Sequence, residues 1–283
     1  MIDKTSPDVN AFPSELKNAI IPSSLPAPNS IEASSQRTES RPSSRESSSV
    51  ARRAGLRTAV VIPAFNEEPS IRHVVQAIPK TSVDEIIVIN NGSTDRTAEV
   101  ALDAGATVLA EPRRGYGFAC LRGIEHAIEN GAEVIVFLDG DFSDYPEDLP
   151  TLLQAIDEGY DLVIGSRLLG TREQGSLLPQ AIFGNWLATF LIRLFWGYRF
   201  TDLGPFRAVR VHALKCMKMS DPTFGWTVEM QIKAAKLGLR CTEVPVRYRK
   251  RIGSSKVTGT VSGTVKASAK ILFVIFKFLF KEL

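Results

Sequence analysis

Asp139 and Asp141 have the type and spacing that suit metal chemistry, and they directly follow the apolar run 134–138. That run is rich in β-branched and aromatic residues, which predicts a strand buried on both faces. If the extended geometry continues past the strand, both carboxylates point to the same side. Two such oxygen ligands suit Mg²⁺ or Mn²⁺, with the other ligands coming from water and a phosphorylated substrate. An isolated Asp-x-Asp is also compatible with a solvated acidic turn, so the surrounding elements have to decide.

Five predicted strands alternate with helices, and each strand ends in a polar cluster. The strands are predicted at 59–62, 85–89, 106–109, 134–138 and 161–164. This alternation predicts an α/β fold with a doubly wound, mostly parallel sheet, in which ligands bind beyond the carboxyl ends of the strands. The clusters are PAFNEE at 63–68, NNGSTD at 90–95, EPRRGYG at 111–117, DGDFSD at 139–144 and GSR at 165–167. Their convergence on one edge predicts a nucleotide-type site.

Several arginines add planar groups that can bind phosphate oxygens through two parallel hydrogen bonds. Each of these arginines could instead be a solvated surface charge with no ligand. This alternative is least favoured for Arg167, because Arg167 directly follows a predicted strand. The candidates are Arg113, Arg114, Arg167, Arg207 and Arg251.

The motifs PAFNEE, NNGSTD, DGDFSD and GSR are followed by DLGPFRA at 202–208 and RIGSSK at 251–256. With these six motifs in this order, the sequence resembles the family 2 glycosyltransferases with the GT-A fold. Within that family it is similar to the dolichyl-phosphate mannosyltransferase and polyprenyl-phosphate glycosyltransferase branch. The resemblance implies a GT-A domain over 57–260 with peripheral amphipathic helices. It also implies inverting, metal-dependent transfer of a hexose from a nucleotide-sugar of the GDP-mannose or UDP-glucose type to polyprenyl or dolichyl phosphate.

The resemblance further implies roles for individual residues. The residues implied to hold the base and ribose are Pro63, Phe65, Asn66, Glu67 and Asn91. Those implied near the metal, the phosphates or the reacting centre are Asp139, Asp141, Arg114, Arg167, Glu229, Arg251 and Lys256. One departure concerns the loop after the second strand, where the family usually has an Asp and this chain has Asn90 and Asn91. Since an amide both donates and accepts, the identity of the base stays open.

The sequence leaves other functions open. A family 2 enzyme acting on a soluble or saccharide hydroxyl would need a carboxylate base, for which Glu229 and Asp144 are candidates, whereas a phosphate acceptor needs none. A sugar-nucleotide pyrophosphorylase or a nicotinamide dehydrogenase would need a Gly-rich loop after the first strand, and PAFNEE is not one. A membrane-associated scaffold that keeps the fold without turnover is the non-enzyme alternative.

Both ends of the sequence differ from its centre. Residues 1–56 are rich in Ser, Pro, Arg and Glu, which predicts a disordered tail. Residues 261–283 have lysines at 266, 270, 277 and 281, which fall within an arc of roughly 60° on a helix. This narrow basic stripe favours a helix in the headgroup plane of a membrane, and docking on the protein's own core is the alternative.

The apolar stretch 181–200 is about long enough to span a bilayer, but Gly184, Asn185 and Arg193 argue against that. We therefore expect an interfacial helix, or a core helix beside the acceptor. The net charge of +3 does not favour nucleic acid as a partner. The three widely spaced cysteines fit a reducing compartment. We expect a peripheral protein on the cytoplasmic side of a membrane, bound directly or through a membrane-anchoring partner protein.

Overall fold

The computed structural model describes residues 55–253 and 261–280. The predicted disordered tail falls almost wholly on residues 1–54, and Lys256 also lies outside the described residues. The core is a seven-stranded sheet in the order β3-β2-β1-β4-β6-β5-β7. Its strands are Thr58–Ala64 (β1), Glu85–Asn90 (β2), Thr107–Ala110 (β3), Val134–Phe137 (β4), Leu162–Ser166 (β5), Arg207–Arg210 (β6) and Cys241–Pro245 (β7). Only β6 is antiparallel to its neighbours, so the predicted mostly parallel sheet is confirmed.

Helices cover both faces of the sheet. They are Glu68–Ala77 (α1), Thr97–Asp103 (α2), Tyr116–Glu129 (α3), Leu149–Asp157 (α4), Pro179–Trp196 (α5), Val211–Met217 (α6), Trp226–Lys236 (α7) and Val261–Phe280 (α8). One hydrophobic core contains residues of α1, α2 and α4, and the other contains residues of α3, α5, α6, α7 and α8. This double layer matches the predicted doubly wound architecture.

The strand predictions fail at two places in the second half. The strand β6 was not predicted, because Arg207 and Arg210 at its ends hide an apolar interior of only two residues. It inserts between β4 and β5, where Arg207 pairs with Phe137 in the ladder. The sequence also predicts a strand over 241–248, but β7 ends at Pro245, which cannot donate a ladder hydrogen bond.

The stretch 181–200 forms most of α5, and no helix among the described residues is long and apolar enough to cross a membrane. The polar Asn185 faces inward, where its side-chain amide donates to the Thr201 carbonyl and its oxygen accepts from the Leu203 N–H. Such a satisfied, buried amide fits the predicted core helix.

The helix α8 also packs on the protein, because it buries Ala267, Val274, Ile275 and Phe278 in the core on the α3 side. The alternative prediction, that this helix docks on the protein's own core, is therefore correct for one side of α8. Its other side is exposed at Phe273, Phe276 and Phe280.

Candidate active site

The carboxyl ends of β1, β2 and β4 and the loop after β3 converge on a cavity of about 420 Å³. We call it the first cavity. The predicted site residues in its wall are Pro63, Phe65, Glu67, Asn91, Arg114, Asp139, Asp141 and Arg251. The predicted convergence at one sheet edge is therefore correct for the first four polar clusters.

The acidic pair reaches the first cavity by a different route from the one predicted. The strand ends at Phe137, and the chain then turns, with a positive φ of 61° at Phe142. Within this turn, Asp141 Oδ1 accepts hydrogen bonds from the Ser143 N–H at 2.9 Å and from its hydroxyl at 2.5 Å. Asp141 Oδ2 lies 2.6 Å from the Arg251 guanidinium. A turn, and not continued extension, thus brings both carboxylates to one cavity.

Asp139 is a partly buried carboxylate close to a second negative charge. Burial, together with the nearby Asp141 charge, raises the pKa of Asp139 to about 7, although Arg251 and a hydrogen bond from Tyr116 oppose the rise. The Tyr116 hydroxyl donates to Asp139 Oδ1 at 3.1 Å. A divalent cation between Asp139 and Asp141 would relieve this repulsion, so the oxygen ligands present fit Mg²⁺ or Mn²⁺.

A stacked pair forms one wall of the first cavity. The Arg114 guanidinium carbon lies 3.8 Å from the centroid of the Phe65 ring, and Arg114 Nη1 donates to the Asn91 carbonyl at 3.2 Å. This contact holds the end of β1 against the loops after β2 and β3. It presents a flat cation–π surface of the kind on which a base or ribose can pack.

The side chain of Asn91 shapes the wall through the backbone of the next loop. Its amide nitrogen donates to the carbonyls of Glu111 and Arg113, at 3.0 and 2.7 Å, and its oxygen accepts from the Gly115 N–H at 2.9 Å. Both N–H groups of the Asn91 amide are therefore committed within the protein.

Asn66 was predicted to hold the nucleoside, but it is not in the wall of the first cavity. Its backbone has a positive φ of 54°, and its side-chain oxygen accepts from the Thr94 N–H at 2.8 Å. Its own N–H donates to the Ser93 hydroxyl. Asn66 therefore ties the loop after β1 to the loop after β2.

A second cavity of about 280 Å³ adjoins the first and shares Tyr116, Asp139 and Phe224 with it. Its wall includes Arg167 and residues of α5, α7 and α8; those from α5 and α8 are Gln180, Ala181, Gly184, Asn185, Ala267, Ser268 and Ile271. The fifth predicted cluster thus borders this second cavity, with Asp139 between the two.

Arg167 is oriented by a partner that the sequence analysis did not identify. Asp202 accepts from Arg167 Nε at 2.8 Å and from Nη2 at 2.7 Å, and it also accepts from the Arg167 N–H. Burial alone would raise the pKa of Asp202, but the Arg167 guanidinium outweighs it and holds the pKa below its usual value. The pair is buried and charged, which fixes the guanidinium at the cavity wall.

Glu229 was predicted to be catalytic, and its position does not fit that role. It is fully buried, lies outside the walls of both cavities, and forms an ion pair with Lys233 at 2.7 Å. It also accepts from the N–H groups of Ser220 and Asp221. This segment is packed so closely on α3 that a Cβ at Gly117 would lie 1.8 Å from the Asp221 carbonyl. Glu229 therefore anchors the segment that leads to Phe224 in both cavity walls.

Asp144, the other candidate base, is equally unsuited to that role. It is buried, lies outside both cavity walls, and neither carboxylate oxygen has a hydrogen-bond partner in the described part of the chain. Burial and the nearby Asp139 raise its pKa well above the usual value. A general base has to lie within hydrogen-bond reach of the proton that it accepts, and Asp144 is in neither cavity wall.

Arg207 does not present its guanidinium to a phosphate site. It is fully buried and donates to the carbonyls of Leu203, Gly204 and Thr227. Burial lowers the pKa of Arg207 to about 10. Its donors hold the turn before β6 and the first turn of α7 together.

Two other sequence candidates also make contacts within the protein. Arg113 forms two hydrogen bonds of 2.8 Å to the Glu111 carboxylate. Trp226, considered for packing on a sugar, is buried and lies edge-on to Phe137, with the ring centroids 6.1 Å apart. Its role is core packing next to the second cavity.

Comparison with known sequences identifies relatives of this chain. The family model described as Glycosyl transferase family 2 matches residues 59–217. An undecaprenyl-phosphate mannosyltransferase of Micrococcus luteus is 30% identical over 223 residues, which cover 74% of this chain and 90% of the relative. A dolichyl-phosphate hexose transferase of Haloferax volcanii is 33% identical over 208 residues, covering 72% of this chain and 88% of the relative. These similarities confirm the family resemblance and the polyprenyl-phosphate branch within it.

Among solved structures, glucosyl-3-phosphoglycerate synthase from Mycobacterium tuberculosis is similar in fold. Its complex with Mn²⁺, UDP-glucose and phosphoglyceric acid superimposes with a TM-score of 0.66 and 24% identity, over 81% of this chain and 82% of the other. This likeness confirms the predicted GT-A fold.

Proposed function

This chain belongs to glycosyltransferase family 2, and from that premise we propose that it transfers a hexose from a nucleotide-sugar to a polyprenyl phosphate at a membrane surface. The second cavity is the observation that supports a polyprenyl phosphate as the acceptor, because its wall brings Arg167 and the helices α5 and α8 to the far side of Asp139. The first cavity would hold the donor.

The first cavity suits a nucleoside diphosphate attached to a sugar. The Phe65–Arg114 pair offers a flat wall to the nucleoside, and Arg251 and the acidic pair lie in the same cavity for the diphosphate. Asp139 and Asp141 would hold Mg²⁺ or Mn²⁺, which would offset the charge that develops on the departing nucleoside diphosphate. The solved complex that resembles this fold contains Mn²⁺ and UDP-glucose, which supports the same class of donor.

The second cavity suits an ionised acceptor with an apolar body. Arg167 offers a guanidinium to a phosphate, and Ala181, Ala267 and Ile271 offer apolar surface to the chain that follows it. The two carboxylates proposed as bases for a hydroxyl acceptor, Glu229 and Asp144, lie outside both cavity walls. A phosphate acceptor needs no base, because its oxygen is already anionic at neutral pH. The curated relatives whose names specify undecaprenyl and dolichyl phosphate point the same way.

The reaction follows from two cavities that meet at Asp139. A phosphate oxygen held by Arg167 attacks the anomeric carbon of the hexose from the second cavity. The new oxygen–carbon bond forms as the bond from that carbon to the diphosphate oxygen breaks on the opposite side. Such a single displacement inverts the anomeric configuration. Tyr116, which donates to Asp139 and borders both cavities, keeps that carboxylate oriented between donor and acceptor.

We assign the activity to the cytoplasmic side of a membrane, with the protein bound peripherally. All three cysteines are free thiols, which is compatible with a reducing compartment. The apolar side of α8, including Phe273 and Phe276, would contact lipid directly or through an anchoring partner protein.

The test is a transfer assay with purified full-length protein. Radiolabelled UDP- and GDP-hexoses are incubated with Mg²⁺ or Mn²⁺ and polyprenyl phosphate, and label in the organic phase is counted. We expect label in the organic phase with one class of donor and none when the metal is chelated. If calorimetry shows that a donor binds while no label enters the organic phase, the lipid acceptor is wrong. If neither UDP nor GDP binds, the donor class is wrong too.

A further inference from the structure

Phe224 lies where the two cavities meet, and it is one of three described residues that belong to both cavity walls. The other two are Tyr116 and Asp139, which are joined by the hydrogen bond from the tyrosine hydroxyl. Phe224 differs from them because it presents an apolar ring, and the residue is 41% exposed. An open aromatic ring at the junction of two polar cavities is a surface for the apolar part of a ligand.

The turn that carries Phe224 is held by the buried carboxylate of Asp221. Asp221 Oδ1 accepts from the Thr223 N–H at 2.9 Å and from the Gly225 N–H at 3.2 Å. Because α7 begins at Trp226, this carboxylate also lies at the positive N-terminal end of that helix. The backbone at Phe224 is therefore held on both sides by one side chain.

The second oxygen of Asp221 is bound to helix α8. Asp221 Oδ2 lies 2.8 Å from Lys270 Nζ, and the lysine side chain is only partly exposed. The basic stripe predicted for the headgroup plane includes Lys270, but the structure pairs its ammonium with a buried carboxylate. Removing one partner of such a pair leaves the other without its counter-charge, so the contact is specific. It ties α8 to the turn at Phe224.

Close packing also restricts this turn. A Cβ at Gly225 would lie 2.7 Å from Cγ2 of Val274 on α8. On the opposite side, a Cβ at Gly115 would overlap the Pro222 carbonyl. Tyr116 directly follows Gly115, so the segments that carry the two shared rings are packed on each other. The packing therefore limits the movement of both rings at the junction of the cavities.

The position of Phe224 matches that of the transferred hexose in the proposed reaction. The anomeric carbon has to lie between the diphosphate in the first cavity and the phosphate oxygen in the second, which is the junction that Phe224 borders. A hexose has an apolar C–H side as well as hydroxyls, and an aromatic ring can pack against that side. The nucleoside would contact Phe65 and Arg114, which are not part of the junction.

We propose that Phe224 binds the transferred hexose, and that Asp221 and Lys270 are positioning residues for its ring. The contact adds affinity for the hexose and leaves the affinity for the nucleoside diphosphate unchanged. This inference rests on the proposed function for the location of the hexose. It does not depend on the acceptor, because a nucleotide-sugar can bind without being consumed.

The experiment is calorimetry of the full-length protein with Mn²⁺ and UDP, GDP, UDP-glucose or GDP-mannose. For the nucleotide that binds, the Kd of the nucleotide divided by the Kd of its sugar conjugate measures the contribution of the hexose. Phe224→Ala should lower this ratio about tenfold while the Kd of the nucleotide stays unchanged. Phe224→Tyr retains the ring and should keep the wild-type ratio.

The positioning pair is tested by the same ratio. Lys270→Met should lower it about threefold, because the turn loses its link to α8 but keeps its backbone hydrogen bonds to Asp221. Lys270→Arg keeps the charge and should restore the ratio. The matched control is Lys277→Met, an exposed lysine on the same helix and outside both cavity walls, which should bind like the wild type. A pair with a purely structural role would lower the melting temperature and leave the ratio unchanged.

The outcomes separate this inference from the proposed function. An unchanged ratio in Phe224→Ala would overturn the hexose contact, and transfer to polyprenyl phosphate by the wild type would then leave the function standing. An unchanged ratio in Lys270→Met would overturn the positioning role of the pair. If Phe224→Ala lowers the ratio but the wild type transfers hexose to no polyprenyl phosphate, the acceptor class is wrong and the hexose contact stands. If no nucleotide-sugar binds, both are wrong.

Discussion

The two cavities that meet at Asp139 are assembled in different ways. Loops that directly follow β1, β2, β3 and β4 form most of the first cavity. The second takes most of its wall from α5, α7 and α8, which lie far apart in the sequence. A parallel sheet fixes where its strand ends lie, so it creates a shared polar site whatever the loops contain. Helices packed outside the sheet can change without altering that site, which lets one donor chemistry serve different acceptors.

The largest expected effect comes from the acidic pair in the first cavity. Asp141→Asn should lower kcat for hexose transfer by roughly a thousandfold, because it replaces one of the two anionic ligands proposed for the metal with a neutral amide. The melting temperature should not fall, since the substitution also relieves the repulsion between Asp141 and Asp139.

Transfer rates at saturating Mn²⁺, together with thermal melts, measure both effects of Asp141→Asn. Asp157→Asn is the matched control, because that exposed carboxylate lies outside both cavity walls. Full activity in Asp141→Asn would remove the proposed metal role of this residue.

Arg167 allows the two cavities to be tested separately. Arg167→Lys keeps the positive charge beside Asp202 but loses the paired hydrogen bonds of the guanidinium. We expect the KM for the phosphate acceptor to rise about ten- to a hundredfold while the Kd for the nucleotide stays unchanged.

Steady-state kinetics with varied acceptor and calorimetry with the nucleotide give these two quantities for Arg167→Lys. Arg247→Lys serves as the control, since Arg247 pairs with Asp148 outside both cavity walls. An equal loss of nucleotide affinity in Arg167→Lys would mean that the cavities do not act separately.

The donor side was the more predictable of the two, for a physical reason. Strand ends are visible in a sequence as apolar runs that stop at polar clusters, and parallel topology brings those ends to one edge. Phe65, Asp139 and Asp141 could therefore be assigned to one cavity without any contact information. The local turn that orients Asp141 could not be predicted, because it depends on a positive φ at Phe142, an unusual residue for that conformation.

The acceptor side contains contacts that no local pattern reveals. Asp202 holds Arg167 across 35 positions of sequence, and β6 brings the two segments together without a recognisable strand pattern. For Glu229 a local signal did exist, because Lys233 lies four residues later on the same helical face and favours an ion pair. Its burial was not visible, since burial depends on the segment at Ser220 that covers it.

Arg251 competes with the proposed metal for Asp141, which gives a smaller expected effect. Its guanidinium lies 2.6 Å from Asp141 Oδ2 and 3.8 Å from Glu67 Oε1. Arg251→Gln should raise the affinity for Mn²⁺ about three- to tenfold in the absence of donor, because a partly exposed ion pair contributes little more than that.

Electron paramagnetic resonance of free Mn²⁺ measures the affinity of Arg251→Gln directly, independently of activity. Arg249→Gln is the control, because the Arg249 guanidinium lies over the rings of Phe142 and Tyr145. Unchanged or weaker Mn²⁺ binding in Arg251→Gln would mean that Arg251 and the metal do not exclude each other.

The smallest expected effect on transfer is at Glu229, whose buried pair with Lys233 anchors the segment leading to Phe224. Glu229→Gln should cost about 3 kcal/mol of unfolding free energy, since it leaves the Lys233 ammonium buried without its counter-charge. The kcat of the folded fraction should fall no more than about threefold, and its pH profile should keep its shape, because no proton is transferred through this carboxylate.

Denaturant unfolding and pH–rate profiles of Glu229→Gln measure both effects. Adding Lys233→Met should restore part of the lost stability, because removing both charges of a buried pair costs less than removing one. A hundredfold loss of kcat at unchanged stability would instead return Glu229 to the reacting centre, and the acceptor side would then need a base.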